Sequence, residues 1–179
     1  DSATMMNKVF EIIEAQKIFN INYKSLRILV HPKSYVHALV KFKNGVTKIL
    51  IHETSMTIPI FNSLYDEKMN TLKSKELDFS IINNLDFNKV DLKRFPVVKI
   101  LSNLPNKSSL FETIIVTAND KLVNMFLINK IKFLDISKIL LKFINDKEFA
   151  KYKLIIPKKI QDITQLSNYV SLKIDTMVI

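Results

Sequence analysis

The sequence contains no cysteine, no tryptophan and a single glycine among its 179 residues. Without cysteine the chain forms no disulfide and offers no thiolate to a metal ion, which suits a reducing compartment. One glycine cannot supply the glycine-rich turn with which a dinucleotide-binding domain approaches a pyrophosphate. No apolar run reaches the roughly 18–20 residues that a membrane-spanning helix needs, so we expect no membrane insertion by these residues.

Arginine is nearly as scarce as glycine, although the net charge is +10. Arg27 and Arg94 are the only arginines, and lysine carries almost all of the positive charge. Proteins that read bases or clamp phosphates favour the bidentate arginine fork, and the lysines here are scattered along the chain. We therefore interpret the basic balance as codon drift in an AT-rich genome and expect no nucleic-acid partner.

The hydrophobic content of 47% is enough for a folded core, and its spacing changes along the chain. Helical spacing predicts a first helix over about Thr4–Phe19, with Ser2 or Thr4 as its N-cap. Alternation with a period of two then predicts strands over 25–31, 34–42 and 46–53. The pair Asn44-Gly45 predicts a hairpin between the last two strands.

A two-residue turn at this hairpin sets the predicted register and faces. It pairs Val40 with Ile49 on one face and His37 with His52 on the other. Two facing imidazoles raise the alternative of a zinc site, but zinc needs three or four ligands and no third is visible nearby.

The rest of the chain is predicted to be a linker followed by helices. A short helix is predicted over residues 58–65. The composition of residues 66–91, rich in Lys, Asn and Asp, predicts a surface linker. Helices are predicted over 96–104, 110–130, 136–144 and 157–178, with Asp135 capping the third. The predicted fold class is α+β: a mixed or antiparallel sheet with helices, then an all-helical bundle. The predicted domains are 1–65, which carries the sheet, the linker 66–91, and the helical domain 92–179.

Chemistry-bearing side chains are concentrated at the first helix. Asn7 and Glu11 are four residues apart and share a helix face, which Lys8 borders, while Ser2 lies at the positive end of the helix. Hydroxyl, amide and ammonium groups at a helix N-terminus suit a phosphate, and a carboxylate one turn deeper suits Mg²⁺ or Mn²⁺. The alternative on spacing alone is an ordinary capped amphipathic helix with a solvated polar face.

The segment DSATMMNK followed by EIIEA resembles the signature of 1-deoxy-D-xylulose 5-phosphate reductoisomerase. Further segments resemble that family in order along nearly the whole chain: HPKSYVH (31–37), the Asn-Gly hairpin, Met56 with Pro59, LDF (77–79), RFPVVKI (94–100), TAND (117–120) and IKFLDI (131–136). Departures from the family pattern are His52 to Ser55, Leu64 to Asp66 and Asp120. The resemblance implies an enzyme that uses NADPH and a divalent metal, Mg²⁺ or Mn²⁺, on a small phosphorylated sugar.

The resemblance also implies roles for the matched residues. Ser2, Asn7 and Lys8 would bind the substrate phosphate and neighbouring hydroxyls, and Glu11 would ligate the metal and touch the substrate. Lys8 and Glu11 would be the catalytic residues, while His37 and Met56 would support the site.

By the same resemblance the chain is expected to be a C-terminal half that starts in mid-protein, with residues 1–65 as the rear part of the catalytic and dimerisation domain. The NADPH domain and two further metal carboxylates would precede Asp1, so the piece alone would be inactive. A homodimer in the bacterial cytoplasm is implied, with a plastid-type organelle as the other location. The alternative function is a non-catalytic dimerisation module derived from the same fold.

Overall fold

A computed structural model describes residues 1–66, 71–76 and 78–177. Residues 67–70 and 77, which fall in the predicted linker and include the start of the LDF segment, lie outside this description. So do residues 178 and 179, the first of which is the last residue of the predicted final helix. The described chain forms two compact units, one made of residues 1–28 and 91–179 and the other of residues 29–90.

The first unit begins with a short turn and one helix. Residues Ser2–Thr4 form a 3-10 turn, and helix α1 runs over Met6–Phe19. Met6 and Val9 are fully buried on one side of α1. Met5, with φ 62° in the left-handed region, is the N-cap residue in place of the predicted Ser2 or Thr4. The hydroxyl of Thr4 nevertheless accepts a hydrogen bond of 3.3 Å from the N–H of Met6, the first residue of the helix.

The second half of the chain supplies the rest of this unit. A 3-10 helix over Pro96–Asn103 is followed by helices α4 (Phe111–Leu127), α5 (Phe133–Ile144) and α6 (Ile160–Met177). A second 3-10 helix, Lys147–Leu154, joins α5 to α6. Helix α4 packs against both α5 and α6. Its buried apolar face forms the centre of the core: Phe111, Ile114, Ile115, Ala118, Leu122 and Met125.

Helix α5 begins at Phe133, so its N-cap residue is Lys132 and not the predicted Asp135. Asp135 is the third residue of the helix, and its Oδ2 accepts a hydrogen bond of 3.0 Å from the backbone N–H of Lys132. The carboxylate therefore satisfies an N–H at the helix start, where the helix dipole also favours negative charge.

The second unit is built on two short antiparallel pairs. Strand β1 (Leu29–Val30) pairs with β4 (Asn88–Lys89), and β2 (Val36–Lys41) pairs with β3 (Thr47–Ile51). Helices α2 (Thr57–Leu64) and α3 (Phe79–Ile82) lie between β3 and β4 along the chain. The strand predicted over 25–31 is thus much shorter in the structure.

The predicted hairpin is present, but its predicted register is wrong by one residue. Leu39 pairs with Ile49 and Val40 with Lys48. The loop has three residues, closed by the N–H of Phe42 on the carbonyl of Val46 at 2.8 Å, and Gly45 adopts φ 88°. A three-residue loop with its last residue left-handed is the next commonest hairpin connection, and it displaces the pairing relative to a two-residue turn.

The predicted α+β class is confirmed, with small antiparallel pairs in one unit and helices dominating the other. Among the described residues no helix is long and apolar enough to cross a membrane. The compact units group the chain differently from the predicted ranges, because α1 packs with the C-terminal half. The domain boundaries at 65 and 91 therefore stay a prediction.

Replacing Gly45 should weaken the hairpin for conformational reasons. A Cβ at this position would meet nothing within 4 Å, so the cost of Gly45→Ala comes from its φ of 88° alone. We expect the loss to be about 1 kcal/mol. Gly45→Asn is the matched control, because asparagine tolerates the left-handed region. Hydrogen exchange at the Phe42 amide measures the effect, and equal protection in both variants would contradict it.

Tyr23 should make the first unit sensitive to alkaline pH. Burial, with a smaller contribution from the charge of Glu112, raises the pKa of Tyr23 to about 12. The folded state therefore holds the phenol proton more tightly than the unfolded state, and this stabilisation is present below about pH 10 and lost as the pH rises towards 12.

The variant Tyr23→Phe should therefore lose less stability than the parent between pH 10 and 12. At pH 7 it should be as stable or about 1 kcal/mol more stable, since the buried hydroxyl has no hydrogen-bond partner among the described residues. Thermal unfolding across this pH range is the measurement, and Tyr169→Phe, at a half-exposed tyrosine, is the control. Parallel pH profiles for the parent and Tyr23→Phe would contradict the assignment.

Candidate functional site

The polar segment ahead of α1 is held in one tight conformation. The carbonyl oxygen of Asp1 accepts hydrogen bonds from the backbone N–H of Thr4 at 3.2 Å, the N–H of Met6 at 3.0 Å and the hydroxyl of Thr4 at 2.9 Å. Met5 stays left-handed between them, a conformation that costs a methionine about 1–2 kcal/mol. Such strain persists only where the surrounding contacts enforce it, and it is frequent at functional sites. Ser2 lies in this turn and is exposed.

The first turns of α1 present the predicted side chains on one face. Asn7 and Glu11 lie one turn apart on the helix, opposite the side that buries Met6 and Val9. The ammonium of Lys8 contacts both carboxylate oxygens of Glu11, at 3.0 Å and 2.8 Å. The structure therefore places Asn7, Lys8 and Glu11 on a single accessible face, as the spacing predicted.

The Lys8–Glu11 pair is weak enough to be exchanged for ligands. Their side chains are 45% and 52% exposed, and an exposed pair of this spacing stabilises a helix by about 0.3–0.5 kcal/mol. A cation at the carboxylate or an anion at the ammonium would therefore have little to displace. The face can offer an ammonium, an amide and one hard carboxylate ligand.

A metal ion fits this face only in part. Glu11 is the right type of ligand for Mg²⁺ or Mn²⁺, which prefer oxygen donors. Within residues 1–66, 71–76 and 78–177, however, no three side chains of His, Cys, Asp or Glu are grouped so that they could hold a metal ion. Any metal held at Glu11 would need its other ligands from outside this part of the chain.

Side chains from helix α4 and the loop before it hold both ends of α1. The Nδ2 of Asn119 donates a 2.8 Å hydrogen bond to Oδ1 of Asp1. At the far end, Lys17 forms a 2.8 Å ion pair with the buried Glu112, and Gln16 donates to the carbonyl of Asn106 at 3.3 Å. None of these residues has a role predicted from the sequence. Asn119 lies in the TAND segment, which carries part of the resemblance. Its place on the apolar face of the predicted helix is the signal that could have marked it as buried.

His37 and Met56 belong to the second unit. His37 lies at the register shift in β2, and its ring stacks on that of His52 with centroids 3.5 Å apart and planes 3° from parallel. Its Nε2 is 3.2 Å from the carbonyl oxygen of His52, which can only accept, so Nε2 carries the proton. Met56 directly precedes helix α2 and is exposed. The two histidines thus meet as predicted, although the register that led to this expectation was wrong.

Known proteins that match this chain belong to the family that the resemblance names. A model described as DXP reductoisomerase C-terminal domain matches residues 51–171. The chain is 63% identical over 177 residues to the 1-deoxy-D-xylulose 5-phosphate reductoisomerase of Pelagibacter ubique (strain HTCC1062), covering 99% of this chain and 46% of that protein. It is 36% identical over 151 residues to the reductoisomerase of Sulfurihydrogenibium sp. (strain YO3AOP1), covering 84% and 40%. The chain spans about half the length of the curated relatives it matches.

Solved structures are similar over nearly the whole chain. The 1-deoxy-D-xylulose 5-phosphate reductoisomerase from Zymomonas mobilis in complex with NADPH matches with a TM-score of 0.82 at 31% identity, covering 99% of this chain and 46% of that one. A DOX-P reductoisomerase in complex with NADPH, fosmidomycin and magnesium matches with a TM-score of 0.81 at 29% identity, covering 99% and 44%.

Proposed function

Because this chain belongs to the DXP reductoisomerase C-terminal domain family, we propose that it forms part of an NADPH-dependent reductoisomerase. The reaction is the conversion of 1-deoxy-D-xylulose 5-phosphate into 2-C-methyl-D-erythritol 4-phosphate in non-mevalonate isoprenoid biosynthesis. Relatives of that name support this function, as do similar solved proteins in complex with NADPH, fosmidomycin and magnesium. The other half of such an enzyme would supply the NADPH domain.

The face formed by Asn7, Lys8 and Glu11 carries the proposal. We assign Ser2, Asn7 and Lys8 to the substrate phosphate and adjacent hydroxyls, because they place a charged donor and neutral donors in the turn before α1 and in its first turn. Glu11 would hold Mg²⁺ or Mn²⁺ as one of several oxygen ligands. A divalent metal, when bound, polarises the oxygens of the substrate as a Lewis acid.

Lys8 and Glu11 have coupled tasks in this proposal. In the structure each neutralises the other, with 2.8 Å between Nζ and Oε2. When Lys8 turns to a phosphate, Glu11 is left with a full negative charge and becomes a better cation ligand. Binding of the anion and of the cation should therefore favour each other at this face.

His37, Met56 and the hairpin complete the proposal. His37 and Met56 keep the supporting roles that the resemblance implies. Apolar side chains are exposed along the hairpin: Leu39, Val40, Phe42, Val46, Ile49 and Leu50. A two-stranded hairpin is marginal alone, so we expect further strands or a second protomer to cover it, in line with a cytoplasmic homodimer. The same exposed faces are what the alternative, a non-catalytic dimerisation module, would use.

The test of this function is a hybrid enzyme in which the chain replaces the matching C-terminal part of the Pelagibacter ubique relative, which is 63% identical to it. We expect the hybrid to oxidise NADPH when given 1-deoxy-D-xylulose 5-phosphate and Mg²⁺. Glu11→Gln should lower kcat/KM by about 100-fold or more, through loss of a metal ligand. Lys8→Met should raise KM by about 10- to 100-fold, through loss of a charge-assisted hydrogen bond.

Glu14→Gln is the matched control, because Glu14 is an exposed carboxylate one turn further along α1. It should leave kcat and KM close to those of the parent hybrid. A folded hybrid without activity would favour the dimerisation module, and full activity in Glu11→Gln would remove the metal role from this residue.

A further inference from the structure

Asn119 is a fully buried polar side chain on helix α4, and its Nδ2 is bound to the first residue of the candidate site. Burying an amide without partners is unfavourable, so a buried amide with one direct bond marks a specific contact. Its Nδ2 donates to Oδ1 of Asp1 at 2.8 Å, across 118 positions of sequence. Its Oδ1 has no hydrogen-bond partner among the described residues. The bond to Asp1 is therefore the one hydrogen bond of this side chain within the described part of the chain.

Asp1 is the residue on which the following turn is built. Its carbonyl oxygen accepts from the N–H groups of Thr4 and Met6 and from the hydroxyl of Thr4. A shift of Asp1 would therefore move the turn that contains Ser2, and with it the left-handed Met5 from which α1 starts. Asn7 and Lys8 follow directly in the first turn of α1.

The far end of α1 has its own attachments. The ion pair between Lys17 and Glu112 and the hydrogen bond from Gln16 to Asn106 do not involve Asn119. The buried Met6 and Val9 also hold the helix against the core. Loss of the Asn119 bond should therefore release the turn before α1 while leaving the helix in place.

We propose that Asn119 is a positioning residue that anchors Asp1 and thereby orients Ser2, Asn7 and Lys8 towards the phosphate of the substrate. This inference rests on the proposed function. Asn119 itself touches neither substrate nor metal; it acts through the Asp1 carboxylate and the turn that Asp1 begins.

The experiment uses the hybrid enzyme and measures kcat, KM for 1-deoxy-D-xylulose 5-phosphate and the unfolding temperature. Asn119→Ala and Asp1→Ala each remove the same hydrogen bond, from its two ends. Each should raise KM about tenfold, the size of one hydrogen bond to a charged group, with a smaller change in kcat. Because the bond is shared, the double variant should raise KM no more than either single variant.

Three controls separate positioning from general loss of stability. Asp1→Asn keeps a neutral oxygen that can accept from Asn119, so it should raise KM less than Asp1→Ala does. Asn124→Ala removes an exposed asparagine from the same helix and should leave KM nearly unchanged. Leu122→Ala empties part of the core on α4, so it should lower the unfolding temperature without raising KM.

The outcomes distinguish this inference from the proposed function. An unchanged KM in Asp1→Ala, additive effects in the double variant, or an equal rise of KM in Leu122→Ala would each overturn the positioning role. Asp1→Ala keeps the test valid if Asn119→Ala does not fold, because Asp1 is exposed. If Lys8→Met raises KM and Asp1→Ala does not, the proposed function stands and only the inference fails. An inactive parent hybrid overturns both.

Discussion

The attachment of helix α1 to helix α4 and the loop before it is the constraint on which the rest of the first unit depends. Asp1 is bound to Asn119 and Lys17 to Glu112, over sequence separations of 118 and 95 residues. A 14-residue helix is marginal by itself in water, so tertiary contacts of this kind decide whether it forms and where it lies. The polar face of α1 is consequently positioned by the second half of the chain.

Helix α1 carries two ion pairs that behave differently because their surroundings differ. Lys8 and Glu11 meet in solvent, where water competes for both charges and the pair contributes little. Lys17 instead meets Glu112, whose carboxylate is buried and also accepts hydrogen bonds from the N–H and hydroxyl of Ser109. Breaking that second pair would leave a poorly solvated charge. The helix is therefore held firmly near Lys17. The Lys8–Glu11 pair, on the face that the proposed function uses, can instead be exchanged for ligands.

Local patterns predicted much of the fold, and their failures have specific causes. Asn44-Gly45 located the hairpin, but it could not distinguish a two-residue loop from a three-residue loop, and the register followed the longer one. The last helix is predicted by an apolar stripe at helical spacing: Ile160, Ile163, Leu166, Val170, Ile174 and Met177. Of these residues only Leu166, Val170 and Ile174 are buried, while Ile160 is 75% exposed. A stripe shows which face is apolar; the elements packed against that face decide how much of it is covered.

By itself, the sequence determined the identity of the side chains on the polar face of α1, because residues four apart share a helix face wherever the helix lies. It also located α1, α4, α5, α6 and the hairpin, since period and turn chemistry are local properties, but not α3 and β4, which lie in the predicted linker. Only the tertiary structure decided that Asp1 meets Asn119, that Glu112 is buried against Lys17, and that His37 stacks on His52 at a register shift. These contacts join residues far apart in the chain or depend on a one-residue register, and neither periodicity nor propensity carries that information.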